Sequence, residues 1–459
     1  MEIRQVSRFH NIGQGLFYSS ALYNVIKRKE IRYVIDCGSV NSKKLLKNEI
    51  IDFVASFDSG INLDMLIISH LHFDHISGIP DLLNHLQNKK IKIGKIFLPY
   101  FDDQTRLFLY IYWLKSIGNE DDFDIQKETW YMDFLKDPLT YLLRTYGDII
   151  DEIIVIMPDD YEGLPSKDNN INSNEENDVS VEGQKVNEPI ELNKTSVNHP
   201  RIKYMRKCRG SVFGLIEFDF WARPIPSVVL VNFRKASVAA INSAGGLDNL
   251  LTQIKSNEIN SHPLVIEYKK IIKTLKWNFN DTSLCVSITP SRPYNEKSFI
   301  LSRNQSDNYK YLQSKLFNYT YSFYPLFSRA IFQSDYYRIR KINSIFPQFN
   351  DYTIPRFGYL FTGDLMLKNN KTYKEFFDHY KPKQHQIKLL CVPHHGARSS
   401  WNRNLLSDFD FPFSLVSAGE DNSYGHPHFP VVNDLDNMVG WVCVNENNSF
   451  NHGICLYFY

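Results

Sequence analysis

The stretch SHLHFDHISG, residues 69–78, gathers His70, His72, Asp74 and His75 within six residues of a chain that has only 14 histidines. Imidazole nitrogens and carboxylate oxygens are good ligands for Zn2+ and for related divalent cations such as Mn2+. The apolar run MLII stands just ahead of them. At the end of a strand, side chains two apart point the same way. His70 and His72 therefore reach one metal, and after the chain turns, Asp74 and His75 reach a second. Two such cations roughly 3.5–4 Å apart can share and activate one water-derived nucleophile.

Something must hold this loop in place, and the flanking sequence supplies it. GLFYSSALYNVI and IRYVIDCGS read as strands, IIDFVASF as a helix, and LDMLIIS as the strand that delivers the motif. GIPDLLNHLQNK then reads as a helix with Pro80 in its first turn, followed by the strand KIGKIFLPY. A similar order returns late in the chain: the strand FGYLFTGDL, the helix TYKEFFDHY, and the strand of IKLLCVPHHG. In both places an apolar strand ends in an acid-and-glycine turn, and the next strand ends in histidines. Two halves built this way can pack sheet on sheet with helices outside, in four layers. FSLVSAG, MVGWVCVN and GICLYFY read as further α/β elements at the end.

Between the halves, residues 102–147 carry helical spacing with many aromatics. Residues 160–200 are polar and Asn-rich, the composition of a flexible excursion. SVFGLIEFDFWA reads as a strand, and residues 235–277 as helical.

Taken in order, GQGLFYSS, VIDCG, the H-x-H-x-D-H motif, LFTGD, VPHHGARSS and GEDNSYGHPH resemble the metallo-β-lactamase superfamily. More narrowly, they resemble its ComEC-like branch, whose best-known members carry a hydrolase domain beside a DNA-uptake channel. The resemblance covers about residues 8–100 and 278–459. It implies an α/β, four-layer αββα fold in one domain. The first half would be 1–100, a helical and loop insertion would fill 101–277, and the second half would be 278–459. The channel's membrane helices have no counterpart, so a stand-alone version is expected.

The resemblance also implies roles. His70 and His72 match first-site histidines, Asp74 and His75 second-site ligands, and Asp364 the carboxylate that bridges two metals. His394 or His395 matches the last histidine, with His394 preferred because it follows the strand directly. Asp36 matches an early aspartate that braces the metal loop. Many relatives carry a further first-site histidine between the motif and the bridging aspartate. Here only His85, His199 and His262 fall in that interval, and each reads as a surface histidine. An incomplete first site is therefore expected.

Arg398, Ser399 and Ser400 suit an anion such as a phosphate, as does His428, with the alternative that a serine there is a helix cap. His426, between Gly425 and Pro427, is a candidate general acid beside Asp74 as the second catalytic residue. NDTSLCVSI, residues 280–288, reads as a structural strand opening the second half.

The implied activity is hydrolysis of a phosphodiester in DNA or RNA, with two divalent metals, Zn2+ first and Mn2+ second. The basic-aromatic stretches YMRKCRG and YYRIRKINSIF would suit a nucleic acid, and ordinary solvated faces would look the same. Two alternatives stand beside it. One is hydrolysis of a cyclic nucleotide or other small ester. The other is a non-catalytic part of a prokaryotic complex, such as a phage-defence system, docking a protein partner through residues 101–277.

Bulk properties set outer limits. The net charge of +1 excludes a whole-molecule field that recruits nucleic acid or membrane, though not a local groove. Six cysteines, without a C-x-x-C pair and mostly in apolar runs, fit free thiols of a reducing compartment. No stretch has the character of a secretion signal or of a membrane span, so a cytoplasmic protein is expected.

Overall fold

In the computed structural model, the described residues are 1–102, 105–107, 109–110, 129–159, 169–171, 178–186, 199–223, 227–246, 249–250, 253, 263–275, 279–302, 356–409, 411–420 and 422–459. The first half opens with β1 (Glu2–Phe9), β2 (Gly15–Asn24) and β3 (Lys29–Ser39), an antiparallel set. Helix α1 (Lys43–Ala55) crosses to β4 (Leu63–Ile67), which runs parallel to β3. Leu46, Ile50, Phe53 and Val54 form the buried stripe of α1, the spacing that makes this stretch helical rather than extended. After the motif come a short α2 (Phe73–Ile76), α3 (Ile79–Asn88) with Pro80 near its start, and β5 (Ile93–Pro99), parallel to β4.

Residues 101–277 also contribute paired strands. They supply α4 (Thr129–Lys136), α5 (Pro138–Tyr146) and β6 (Ile150–Ile156), and β6 pairs in parallel with β5. A short β7 (Asn169–Ile171) and β8 (Val179–Val186) follow, then β9 (Ile202–Val212) and β10 (Ile216–Ala222). β9 pairs with β6, β8 and β10, so this region links the two halves through hydrogen-bonded strands. Within the polar stretch 160–200 the described residues thus form two strands, β7 and β8, with Val181 and Val186 buried on β8. Those valines, spaced among polar residues, find a partner in the long β9, which a local reading cannot foresee. Helices α6 (Ser227–Ala244) and α7 (Pro263–Leu275) follow, the rest of the stretch expected to be helical, 235–277, lying partly outside the described residues.

The second half repeats the first. β11 (Leu284–Pro290) pairs antiparallel with β10. β12 (Tyr294–Ser302) pairs with the last strand. β13 (Tyr359–Phe361) follows, then α8 (Asn370–Tyr380) and β14 (Leu389–Cys391), parallel to β13. α9 (Asn404–Asp408), β15 (Phe413–Ser417), α10 (Phe429–Met438) and β16 (Gly440–Val444) continue the parallel run, and β17 (Phe450–Phe458) returns to pair with β1.

Three apolar cores separate the layers. One packs α1, α3, α4 and α5 onto the first sheet region, through residues such as Phe53, Leu82, Phe134 and Leu142. The second lies between the two sheet regions, where Tyr18, Ile35, Ile67 and Phe97 face Phe220, Val286, Phe361 and Leu415. The third seats α8 and α10 on the second sheet region through Phe376, Tyr380, Val431 and Leu435. Helices, sheet, sheet and helices in that order make four layers, a mixed α/β fold consistent with the metallo-β-lactamase fold. Each fully buried Leu, Ile or Phe in these cores contributes about 1.5–3 kcal/mol. Among the described residues, no helix is long and apolar enough to cross a membrane.

Candidate metal centre

Each half delivers an acid from the end of one strand and histidines from the end of the next. In the first half β3 carries Asp36 and the segment after β4 carries His70 to His75. In the second half, the turn after β13 carries Asp364 and the turn after β14 carries His394 and His395. The C-terminal ends of these parallel strands meet at one edge, where Leu284 N donates to the carbonyl of Ser69 at 2.7 Å and ties the halves together.

Asp36 is set in place by an irregularity. The β2–β3 register skips between Phe17 and Tyr18, leaving Asp36 as the extra residue, with φ at 55°. A bulge re-aims its side chain away from the regular alternation of the strand. Its carboxylate accepts from Ser69 N at 2.6 Å and from the Ser69 hydroxyl, and it takes His75 Nδ1–H at 2.8 Å. These bonds tie Asp36 to Ser69 and His75 of the loop.

The remaining residues converge on Asp364. His75 Nε2 lies 3.0 Å from Asp364 Oδ1. His395 Nε2 lies 3.1 Å from Asp74 Oδ2 and 3.9 Å from Asp364 Oδ1. His72 Nδ1 and His394 Nε2 approach the other oxygen, Asp364 Oδ2, at 4.0 and 3.5 Å. One potential ligand atom from each of Asp74, His75, Asp364 and His395 falls within 4.8 Å of the others, and the same holds for His70, His72 and Asp364. Asp364 belongs to both groups, one carboxylate oxygen toward each.

The outer nitrogens are fixed by partners that orient the rings. His75 Nδ1 is held by Asp36, and His395 Nδ1 donates to the carbonyl of Ser417 at 2.6 Å. His70 Nδ1 meets Ser283 Oγ at 3.3 Å, and His394 Nδ1 meets Ser400 Oγ at 3.0 Å and Asn280 Nδ2 at 3.1 Å. In each of these four rings Nε2 is left for the interior. His70 Nε2 is buried with no hydrogen-bond partner among the described residues. A buried imidazole nitrogen in that state carries a desolvation cost that a cation would remove. The donor set of imidazoles and carboxylates around it fits Zn2+ or Mn2+.

The buried acids and imidazoles shift one another's titration. Burial alone would lower the His75 pKa, but the carboxylates of Asp364, Asp36 and Asp74 outweigh it and raise it well above the ordinary value. Burial would raise Asp74 and Asp364, yet the surrounding histidines hold both below the usual carboxylate range. Burial lowers His70 strongly and takes His72 down to about 4.

His395, not His394, joins Asp74 and His75. The backbone after β14 takes left-handed conformations at both residues, φ 48° and 54°, and this turn sends the two rings to different sides of Asp364. His394 then lies toward the same carboxylate oxygen of Asp364 as His72. Of the histidines weighed as a further first-site ligand, His85 sits on α3 and His199 precedes β9, both outside these groups, and His262 lies outside the described residues.

The anion-binding candidates also separate. Ser400 is fully buried, its hydroxyl engaged with His394 and the Asp364 carbonyl, so it positions the site rather than facing a ligand. Arg398 and Ser399 are exposed beside it. His428 caps the start of α10, and its Nδ1 accepts from Arg398 N at 3.3 Å. His426 lies over the histidine pair, with ring centres 5.4 Å from His394 and 6.4 Å from His395. Burial and the neighbouring imidazoles take its pKa down to about 3, so it is neutral at ordinary pH.

YMRKCRG falls on β9, where Tyr204 and Cys208 are buried and Arg209 faces Glu217 and Asp219 at 3.7 Å. These residues serve the sheet. YYRIRKINSIF lies outside the described residues.

Sequence reading missed Asn280 and Ser283. They are the polar residues of NDTS just before an apolar strand, and that polar run is the signal that marked them. Ser283 Oγ also accepts from Asp364 N at 3.0 Å, so one hydroxyl joins His70 to Asp364. Tyr131, on α4, donates to the carbonyl of Leu71 at 2.8 Å and steadies the loop from outside.

Residues 19–144, from β2 to α5 and including the H-x-H-x-D-H motif, match the family model described as Metallo-beta-lactamase superfamily. This match supports that superfamily for the chain. The metallo-beta-lactamase fold protein YhfI from Bacillus subtilis is a structural neighbour at 9% identity and TM-score 0.34, over 98% of this chain and 100% of that one. A long form RNase Z from yeast is another, at 9% identity and TM-score 0.35, over 97% of this chain and 41% of the yeast protein. No curated protein matches the chain.

Proposed function

We propose that the chain is a dinuclear metal-dependent phosphodiesterase that acts on DNA or RNA, a soluble member of the ComEC-like branch. The observation that carries this reading is the pair of ligand groups that share Asp364. His70, His72 and Asp364, with His394 beside them, would hold one cation. Asp74, His75, His395 and the same Asp364 would hold the other. Two divalent cations, when bound there, supply a water of lowered pKa and positive charge to offset that of a phosphoryl group.

The chain's own residues do the rest. Asp36, Ser283, Ser400 and Ser417 fix the histidine rings, so the site is organised before substrate arrives. Asp74, held as a carboxylate by His75 and His395, orients the water. His426 stands at the mouth as a neutral imidazole and can relay a proton toward a leaving oxygen. Arg398 and Ser399, exposed next to the centre, meet the substrate's phosphates.

The test is incubation of the Mn2+- or Zn2+-loaded protein with linear DNA, RNA and cyclic nucleotides. Cleavage of a strand, lost in Asp74→Ala and Asp364→Ala, supports the reading. Cleavage of cyclic nucleotides alone favours the small-ester alternative. Strand cleavage that persists in both variants rejects the site. Elemental analysis giving about two metals per chain is the companion measurement.

A further inference from the structure

A pocket of about 510 Å3 opens beside the centre, between the start of α8 and the residues after the histidine pair. Met366, in its wall, accepts from the hydroxyl of Ser400, which also meets His394 Nδ1 at 3.0 Å. The pocket is therefore one side chain away from a proposed metal ligand. Lys368 and Arg398 line it, both exposed, and among the described residues neither forms an ion pair. The one acid in its wall, Asp281, is paired with Arg223 at 2.7 Å, so the wall carries net positive charge. The positive end of α8 adds to it.

A second observation points to a ligand. Thr372 lines the same pocket, is fully buried, and its hydroxyl has no hydrogen-bond partner among the described residues. A buried hydroxyl left unmatched is costly, and an acceptor brought into the pocket would satisfy it.

We propose that this pocket is a second phosphate subsite. It holds a phosphate of the strand other than the one at the metal centre, with Lys368 and Arg398 as cations and the Thr372 hydroxyl as donor. The assignment rests on the nucleic-acid reading above and names where the strand continues. Two sources share this chemistry, an internal backbone phosphate and a terminal 5′-phosphate.

The experiment is fluorescence anisotropy of the full chain with single-stranded DNA oligonucleotides bearing a 5′-phosphate or a 5′-hydroxyl, in chelator so that no strand is cut. Lys368→Ala and Arg398→Ala should each lower the slope of log affinity against log salt by about 0.7. Thr372→Val should weaken binding on the order of tenfold, the scale of a hydrogen bond to a charged group. The same variant should melt no lower than wild type, because it removes an unmatched buried hydroxyl. A loss with both oligonucleotides assigns an internal phosphate; a loss with the 5′-phosphorylated one alone assigns the terminal group. An unchanged salt slope in either charge variant, or wild-type affinity in Thr372→Val, overturns the subsite. Absence of diester cleavage by the metal-loaded wild type would reject the nuclease reading separately, since the binding readout requires no turnover.

Discussion

Asp36 Oδ2 lies 2.8 Å from His75 Nδ1, and it does so from a bulged backbone at φ 55°. The acid never faces the proposed cation positions; it sets the ring that does. Asp36→Asn keeps the shape but offers an amide where His75 needs a strong acceptor. Metal affinity should fall 10- to 100-fold, the usual scale for such outer partners, with the fold retained. Competition titration with a chelating dye measures it, and wild-type affinity would remove Asp36 from the account.

His394 and His395 should separate by metal content. His395→Ala should lose the cation of the Asp74–His75 group, and His394→Ala should weaken the one beside His70 and His72. Elemental analysis after gel filtration should give about one metal per chain for His395→Ala. For His394→Ala, a chelator series should show one of two sites releasing earlier. Two tightly held metals in His394→Ala would leave the first site with two histidines only.

Gly38→Ala tests how closely the motif sits on its sheet. A Cβ at residue 38 would stand 2.5 Å from the backbone carbon of His75, and one at Gly15 would meet the Gly38 carbonyl. Helix α2 must then lift, taking Asp74 and His75 with it. A loss of about 1–3 kcal/mol in stability is expected, as for overpacking elsewhere, together with lost metal binding. Denaturant melts and metal titration on the same sample check both.

Acid sensitivity should trace in part to His10. Its ring stacks on Phe17 and bonds Glu49 at 2.6 Å and Ser19 at 2.8 Å, wholly buried. Burial lowers its pKa to about 4 despite Glu49, so at neutral pH the Glu49 contact is a hydrogen bond from a neutral imidazole, not an ion pair. The unfolded chain takes up this proton near pH 6.5 and the folded chain only near 4. Stability from this residue is thus complete above about pH 6.5 and is lost as pH falls toward 4, on the order of 3 kcal/mol. Asp64, raised by burial to about 6, acts in the opposite sense over part of that range. The His10 effect is therefore read as a difference: His10→Gln should lose less stability than wild type between pH 6.5 and 4. Parallel curves for the two proteins would count against it.

Much of this was legible because local patterns and tertiary roles coincide. The strand–helix–strand order before His70 and before His394 follows from periodicity, and the resemblance to the metallo-β-lactamase superfamily implies the pairing of an acid with histidines in each half. The choice between His394 and His395 was not legible. It depends on two successive left-handed residues, which neither histidine's type announces. Nor was the strand role of residues 179–186 legible, since β8 exists through its long partner β9. Asn280 and Ser283 lay hidden for a similar reason: a polar run before a strand is ordinary, and only the meeting of two distant turns makes it a clamp.

The pairing of β1 with β17 joins Glu2 to Tyr457 and Phe9 to Phe450. β1 thus has one edge uncovered until residues 450–458 have been made. β17 in turn lies between β1 and β12, with no edge of its own. Contacts this distant in sequence are slow to close. Completion of the first sheet region is therefore a late event, and a chain halted before residue 450 would carry an open strand edge exposed to other molecules.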